Sequence, residues 1–133
     1  VGIDGEMRAA GRKADGNAWL VALEKPLKGR REVLGALELY DSSIATSGDY
    51  RHWRERDGRE YSHTINPRSG EPWLSALTSV SVLCTSCMYA DAWATALLVL
   101  GVERGTALAK AHGLSVIFML REGDALREIT VGF

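Results

Sequence analysis

Thr78-Ser79-Val80-Ser81-Val82-Leu83-Cys84 runs into Thr85-Ser86-Cys87-Met88-Tyr89-Ala90-Asp91-Ala92-Trp93-Ala94-Thr95-Ala96-Leu97-Leu98-Val99-Leu100-Gly101, and along this stretch the chain changes its period. The first part is β-branched and alternating, which predicts a strand. From Met88 the residues are helix formers, and Gly101 is suited to close a helix because it enters the left-handed region without steric cost. A second helix follows, so the two are expected at about 88–101 and 103–112, with His112-Gly113 as the stop. Ser115–Leu120 and Leu126–Val131 then read as strands paired across Glu122-Gly123-Asp124.

Upstream, the pattern is strand-like almost throughout. Val1–Ala10 reads as strand and turn, and Gly11–Asn17 as a glycine-punctuated loop with a turn at Asp15-Gly16. Trp19–Leu23 is an apolar strand stopped at Glu24-Lys25-Pro26. Glu32–Tyr40 alternates imperfectly and ends in the turn Asp41-Ser42-Ser43, after which Ile44–Gly48 begins a short strand. Arg51–Trp53 and Arg59–Ile65 face each other across Asp57-Gly58, a favoured hairpin turn. Strands, two helices and a closing hairpin make an α+β domain, with a mixed, mostly antiparallel sheet packed by the helices. Residues 1–133 form a single domain with no internal repeat, low-complexity segment or linker.

The bulk composition narrows the function. With 46% hydrophobic and 25% charged residues in 133, the chain is that of an ordinary globular domain able to bury a core. Sixteen basic and 17 acidic residues leave a net charge of −1, which gives no electrostatic footprint for nucleic acid. The mixed charge run Arg51–Glu60 reads as a solvated hairpin. The longest apolar stretch, Ala92–Val102, is interrupted by Thr95 and Gly101 and falls short of the roughly 18 residues of a membrane span. The opening Val1-Gly2-Ile3-Asp4-Gly5 has neither Met nor a signal-peptide pattern, so the chain is expected to be a piece of a longer protein.

Four constellations carry chemistry. Cys84-Thr85-Ser86-Cys87 has redox spacing at a strand-to-helix junction, against which stands the plain reading of two small buried fillers. Ser47, His63 and Asp91 are the residue types of a catalytic triad, but no nucleophile-elbow motif accompanies them. Glycine-rich phosphate loops are absent. Asp91 and Thr95, four apart, share a helical face inside an apolar run, where a carboxylate calls for a partner or a metal. Two hard oxygens suit Mg²⁺; alternatively, Asp91 caps the helix and Thr95 merely packs. Finally, His63-Thr64-Ile65-Asn66-Pro67-Arg68-Ser69-Gly70-Glu71-Pro72 is a loop in which Arg68 can fork onto a phosphate and Ser69 and Gly70 can offer N–H groups in a nest. An ordinary β-to-β connection with a hydrogen-bonded His is the competing reading.

Ala45–Arg51, His63–Pro72, Ser79–Val82 and Ala90–Ala96 with Leu100-Gly101, in this order and spacing, resemble the ApbE family of FAD:protein FMN transferases, long labelled thiamine biosynthesis lipoproteins. Gly2–Glu6, Gly11 and Trp19–Pro26 are similar to the family's central segment, so the resemblance covers essentially the whole chain. Asn66, Ser69 and Ser81 depart mildly from the family pattern and keep an oxygen. Members are more than twice as long, and their glycine- and lysine-bearing first half is missing here. The resemblance implies Mg²⁺-dependent cleavage of FAD, transfer of FMN to a threonine of a target flavoprotein and release of AMP; some members hydrolyse FAD instead. It implies His63 as the proton acceptor, Thr64, Ile65, Pro67, Arg68, Ser69 and Gly70 as the nucleotide-binding loop, and Asp91 and Thr95 as metal ligands. It also implies a cell-envelope or periplasmic setting and, with the N-terminal half absent, an inactive fragment with an exposed edge that favours self-association. A flavin-binding module without transferase activity and an inert structural piece are the readings of a different class. Asp41–Thr46 lacks the glycine expected before an acceptor threonine and is rejected as a flavinylation target.

Overall fold

The computed structural model describes residues 1–50, 53–73 and 75–133. Its strands are β1 (Gly2–Ile3), β2 (Glu6–Arg8), β3 (Trp19–Glu24), β4 (Val33–Leu39), β5 (Ser43–Gly48), β6 (Trp53–Arg56), β7 (Arg59–Ser62), β8 (Leu77–Cys84), β9 (Ser115–Glu122) and β10 (Ala125–Val131), with α1 spanning Cys87–Ala111. Six of them form one sheet in the order β1-β2-β5-β8-β9-β10, while β3-β4 and β6-β7 are separate hairpins. Among the described residues the pairings of this sheet are antiparallel, in keeping with the mostly antiparallel α+β fold expected from the sequence. Arg51 and His52, where the strand before the Asp57-Gly58 turn was expected to begin, lie outside the described residues. That turn has φ of 54° and 70° at its two central residues, the backbone that twists with a hairpin. The following strand stops at Ser62 rather than running to Ile65, which instead makes an isolated bridge to Pro72.

The register of β8 and β9 explains the helical segment between them. Leu83 pairs with Ser115, so β9 starts at the end of the sheet where β8 finishes. A straight helix the length of Cys87–Ala111 would carry the chain about 37 Å away. Gly101, at φ 78° and ψ 174°, breaks it and lets the second arm return. The Trp93 and His112 rings, on different arms, have centroids 5.0 Å apart, which only a folded-back helix allows. The two helices expected on either side of Gly101 are thus two arms of one kinked span.

The two faces of the sheet have separate cores. On one, Ala94, Leu97, Leu98 and Ala109 of the arms meet Val80, Val82, Val116 and Phe118. Gly105 brings an arm so close that a Cβ there would lie 3.1 Å from the Phe118 ring. On the other face, Leu23 and Leu39 of the β3–β4 hairpin cover Ile44, Ile117 and Met119. No helix is long and apolar enough to cross a membrane among the described residues.

Candidate functional site

β5 is longer than the strand beside it. β2 pairs only through Met7↔Ile44 and Arg8↔Ser43, whereas β8 accompanies β5 to Gly48. Where β5 runs on past β2, a cleft of about 570 Å³ opens across the sheet. The first helical arm contributes Asp91, Thr95 and Val99 to it; β5 and β8 contribute Thr46, Ser47, Ser79 and Ser81; and the segment after β7 contributes His63, Thr64 and Ile65. The β1–β2 turn and the β3–β4 hairpin close the remaining sides. Residues from distant parts of the chain therefore share one space because the sheet order places β5 and β8 side by side under α1.

Asp91 and Thr95 lie on one flank of the helix, as their spacing predicted, but both are exposed to the cleft. The expectation of an Asp buried in the core is corrected. The buried stripe is Ala90, Ala94, Leu97 and Leu98, one position round the helix from the polar pair. Nor does Asp91 cap the helix: the N-cap is Ser86, and the first turn holds no acidic residue. The Thr95 hydroxyl is 2.8 Å from the Ser47 hydroxyl on β5, and Thr46 and Ser81 make a matching 2.8 Å pair across the strands. Ser47, His63 and Asp91 do line the same cleft, but Ser47 is paired with Thr95.

The loop after β7 divides into two parts. His63, Thr64 and Ile65 line the cleft; Pro67, Arg68, Ser69 and Gly70 form an exposed turn and are not among its lining residues. That turn is held by its own hydrogen bonds. The Arg68 N–H donates to the Asn66 side chain at 3.0 Å, the Gly70 N–H to the Asn66 carbonyl at 2.8 Å, and the Glu71 N–H to the Ser69 hydroxyl at 3.3 Å. The expected nest is corrected accordingly: the Gly70 N–H is already spent on closing the turn. Trp73 N–H to the Thr64 carbonyl at 2.7 Å ties the far end of the loop back to its cleft-lining start.

The electrostatics of the cleft favour a cation. Asp4, Glu6, Glu24 and Asp91 line it, and no Lys or Arg does among the described residues. Apart from His63, the acidic and basic side chains that an anionic ligand would meet here, among the described residues, are carboxylates, and a divalent ion would reverse that balance. The donor set of Asp91 and Thr95 fits a hard cation such as Mg²⁺, which takes oxygen ligands and keeps water or substrate phosphates in its remaining positions. No group of three or more His, Cys, Asp or Glu is gathered for a metal among the described residues, so the protein's share here is small.

The ApbE family model matches residues 1–118. The chain belongs to the ApbE family. It is 45% identical over 128 residues to the FAD:protein FMN transferase of Vibrio cholerae, covering 96% of this chain and 38% of that protein. It is 35% identical to the Escherichia coli K12 protein of the same name, covering 96% of this chain and 36% of that one. Among solved structures, the Vibrio cholerae flavin transferase ApbE superimposes with a TM-score of 0.82 at 43% identity, over 96% of this chain and 40% of that one. The apo form of the Pseudomonas stutzeri flavinyl transferase ApbE gives 0.79, also at 43%, over 97% of this chain and 40% of that one. This ApbE chain therefore spans about two fifths of the length of these relatives.

Within the ApbE cleft, sequence reasoning missed Asp4, Glu6, Glu24, Ser79 and the pairing role of Ser47. A signal for part of this was present: Ser79 and Ser81 alternate with Val80 and Val82, so β8 carries a polar face in a strand otherwise fit for burial. The Cys84-x-x-Cys87 pair brackets the β8–α1 junction, with both thiols free and half-buried, and the Cys87 thiol points at the Met7 carbonyl 3.8 Å away.

Proposed function

We propose that this chain forms the C-terminal part of an FAD:protein FMN transferase and that its cleft handles the diphosphate of FAD. The observation that carries the reading is that His63 and the Asp91–Thr95 pair, far apart in sequence, line one carboxylate-rich cleft. Asp91 and Thr95 would hold Mg²⁺, and the ion when bound would offset charge on the diphosphate. In the reaction, a threonine hydroxyl of the acceptor flavoprotein attacks the FMN phosphorus. The bond from that phosphorus to the bridging oxygen breaks, AMP leaves, and the hydroxyl proton passes to His63. Thr64 and Ile65 bound the nucleotide on the same wall, while Pro67, Arg68, Ser69 and Gly70 form the hydrogen-bonded turn that follows them. The part of the longer relatives that this chain does not span would supply the other wall, and the family resemblance suggests the cell envelope as the setting.

The test uses Asp91→Ala and His63→Ala in the full-length protein, with AMP release and flavin fluorescence on the acceptor as readouts. Asp91→Ala is expected to lose Mg²⁺-dependent turnover by about a thousandfold, in line with the several kcal/mol a Lewis acid supplies, while folding stays intact. Unchanged turnover would remove the metal assignment. His63→Ala should reduce transfer more than FAD affinity, because a base acts in the transition state; equal losses would make His63 a binding residue only. AMP release without a labelled acceptor would identify an FAD hydrolase, and retained flavin without AMP release a binding module.

A further inference from the structure

The kinked helix carries two threonines whose hydroxyls behave differently. Thr106 does what helical threonines commonly do: its Oγ1–H bonds back to its own helix, to the Val102 carbonyl at 2.8 Å and the Glu103 carbonyl at 3.1 Å. Thr95 instead reaches out of the helix to Ser47 Oγ at 2.8 Å. A β-branched side chain has few χ1 wells in a helix, so the partner it chooses decides where its oxygen points. Ser47 is itself held firmly. It sits opposite Val80 in the β5–β8 ladder, and the next residue, Gly48, lies so close to the Tyr50 ring and the Thr78 carbonyl that a Cβ would fall 2.7 and 2.8 Å from them.

A neutral hydroxyl that ligates a hard cation offers a lone pair and must place its proton on an acceptor away from the ion. We infer that Ser47 is that acceptor: a positioning residue that takes the Thr95 proton and leaves a Thr95 lone pair facing the cleft beside Asp91. The inference rests on the cation reading of Asp91 and Thr95 and adds to it a second-layer residue on a different element. It also fixes the direction of the Ser47–Thr95 hydrogen bond, with Thr95 donating. Ser47 then contributes to cation affinity through Thr95.

The experiment measures Mn²⁺ binding to the full-length protein by loss of the free-ion electron paramagnetic resonance signal, with FAD present. Ser47→Ala is expected to weaken Mn²⁺ binding about tenfold, the lower end of what an outer-layer partner contributes to metal affinity. Ser47→Thr, which keeps the hydroxyl, should restore it to within about twofold on the same basis. In a Thr95→Val background, Ser47→Ala should cause no further loss, because the hydroxyl it serves is gone. The thermal midpoint serves as the check on folding and should not follow the Mn²⁺ loss. If Asp91→Ala abolishes Mn²⁺ binding while Ser47→Ala leaves it unchanged, the role of Ser47 is wrong and the cation site stands. Additive losses from Ser47→Ala and Thr95→Val would equally overturn it. If Asp91→Ala leaves Mn²⁺ binding unchanged, the cation reading fails and the inference falls with it.

Discussion

The two faces of the six-stranded sheet are covered differently, and the chemistry gathers where the cover is incomplete. On the helical face, two arms bury Val80, Val82, Val116 and Phe118 completely. On the hairpin face, a two-stranded lid buries Ile44 and Leu39 but stops short of the strand ends, where Thr46, Ser79 and Ser81 line the cleft. A kinked helix presents small residues at close intervals and can be packed without gaps. A hairpin offers one row of side chains on each strand and leaves its margins open. The lesson is that one sheet supplies rigidity from one face and a polar floor from the other, with Asp91 and Thr95 reaching over from the edge of the helix.

The sharpest test of that contrast uses two neighbours on β9 that point to opposite faces. Phe118 belongs to the helical core and Met119 to the hairpin core and the cleft. Phe118→Ala is expected to cost about 4 kcal/mol, because the tight packing around Gly105 cannot collapse into the space left. Met119→Ala should cost about 2 kcal/mol, because its cavity opens towards an existing cleft. Urea unfolding of each full-length variant measures the difference. Equal costs would mean that the hairpin packs as densely as the helix.

A second test sits at the boundary of the two regions. Gly48 is the last residue of β5, and a methyl group added there meets the Tyr50 ring and the Thr78 carbonyl within 2.8 Å. The backbone carbonyl cannot swing away as a flexible side chain can, so Gly48→Ala should destabilise by about 1–3 kcal/mol as an overpacking change. The strand would shift under Ser47, so the variant should also lose Mn²⁺ affinity in the assay above. A stable variant with weakened metal binding would show that the cleft end of β5 moves independently of the core.

How much of this was legible in the sequence depends on whether the deciding force is local. The alternation of Thr78–Cys84 and the Glu122-Gly123-Asp124 turn placed strands within a residue or two, and Asp57-Gly58 placed its hairpin but not the extent of its strands, because period and turn chemistry are local properties. Gly101 was readable as a helix end for the same reason. The depth of Asp91 was not, since Ala92, Ala96 and Val99 make the run apolar on more than one side and blur its stripe. The loop is a mixed case: its turn residues were evident, but only the folded chain separates His63, Thr64 and Ile65 at the cleft from Arg68, Ser69 and Gly70 beyond it. Which strand is left partly uncovered is a property of sheet order, and no local pattern in β5 announces it.

The smallest expected effect concerns how the hairpin lid is closed. Its connection buries Pro26 and carries a set of ion pairs: Lys25 Nζ lies 3.1 Å from Glu32, Arg30 3.3 Å from Glu32, and Arg31 3.5 Å from Glu24. The hydrogen bond from Lys25, followed by the nearby Arg30 guanidinium and the Lys25 charge itself, holds the Glu32 carboxyl below its ordinary pKa of 4.5. The sign follows from linkage. A carboxylate favoured by the fold stabilises it at pH above 4.5, and that contribution disappears as the pH falls through the lowered value. The helical face has no counterpart in its apolar core, so acid should loosen the lid before the helix. Glu32→Gln removes the titrating group and should flatten the fall in thermal midpoint between neutral and acid pH. The exposed ion pairs are screened by salt, so high salt should bring parent and variant together. Midpoints of parent and Glu32→Gln that run parallel from pH 6 to pH 3 would mean that the Glu32 ion pairs contribute nothing and that burial at Leu23, Pro26 and Leu39 holds the hairpin.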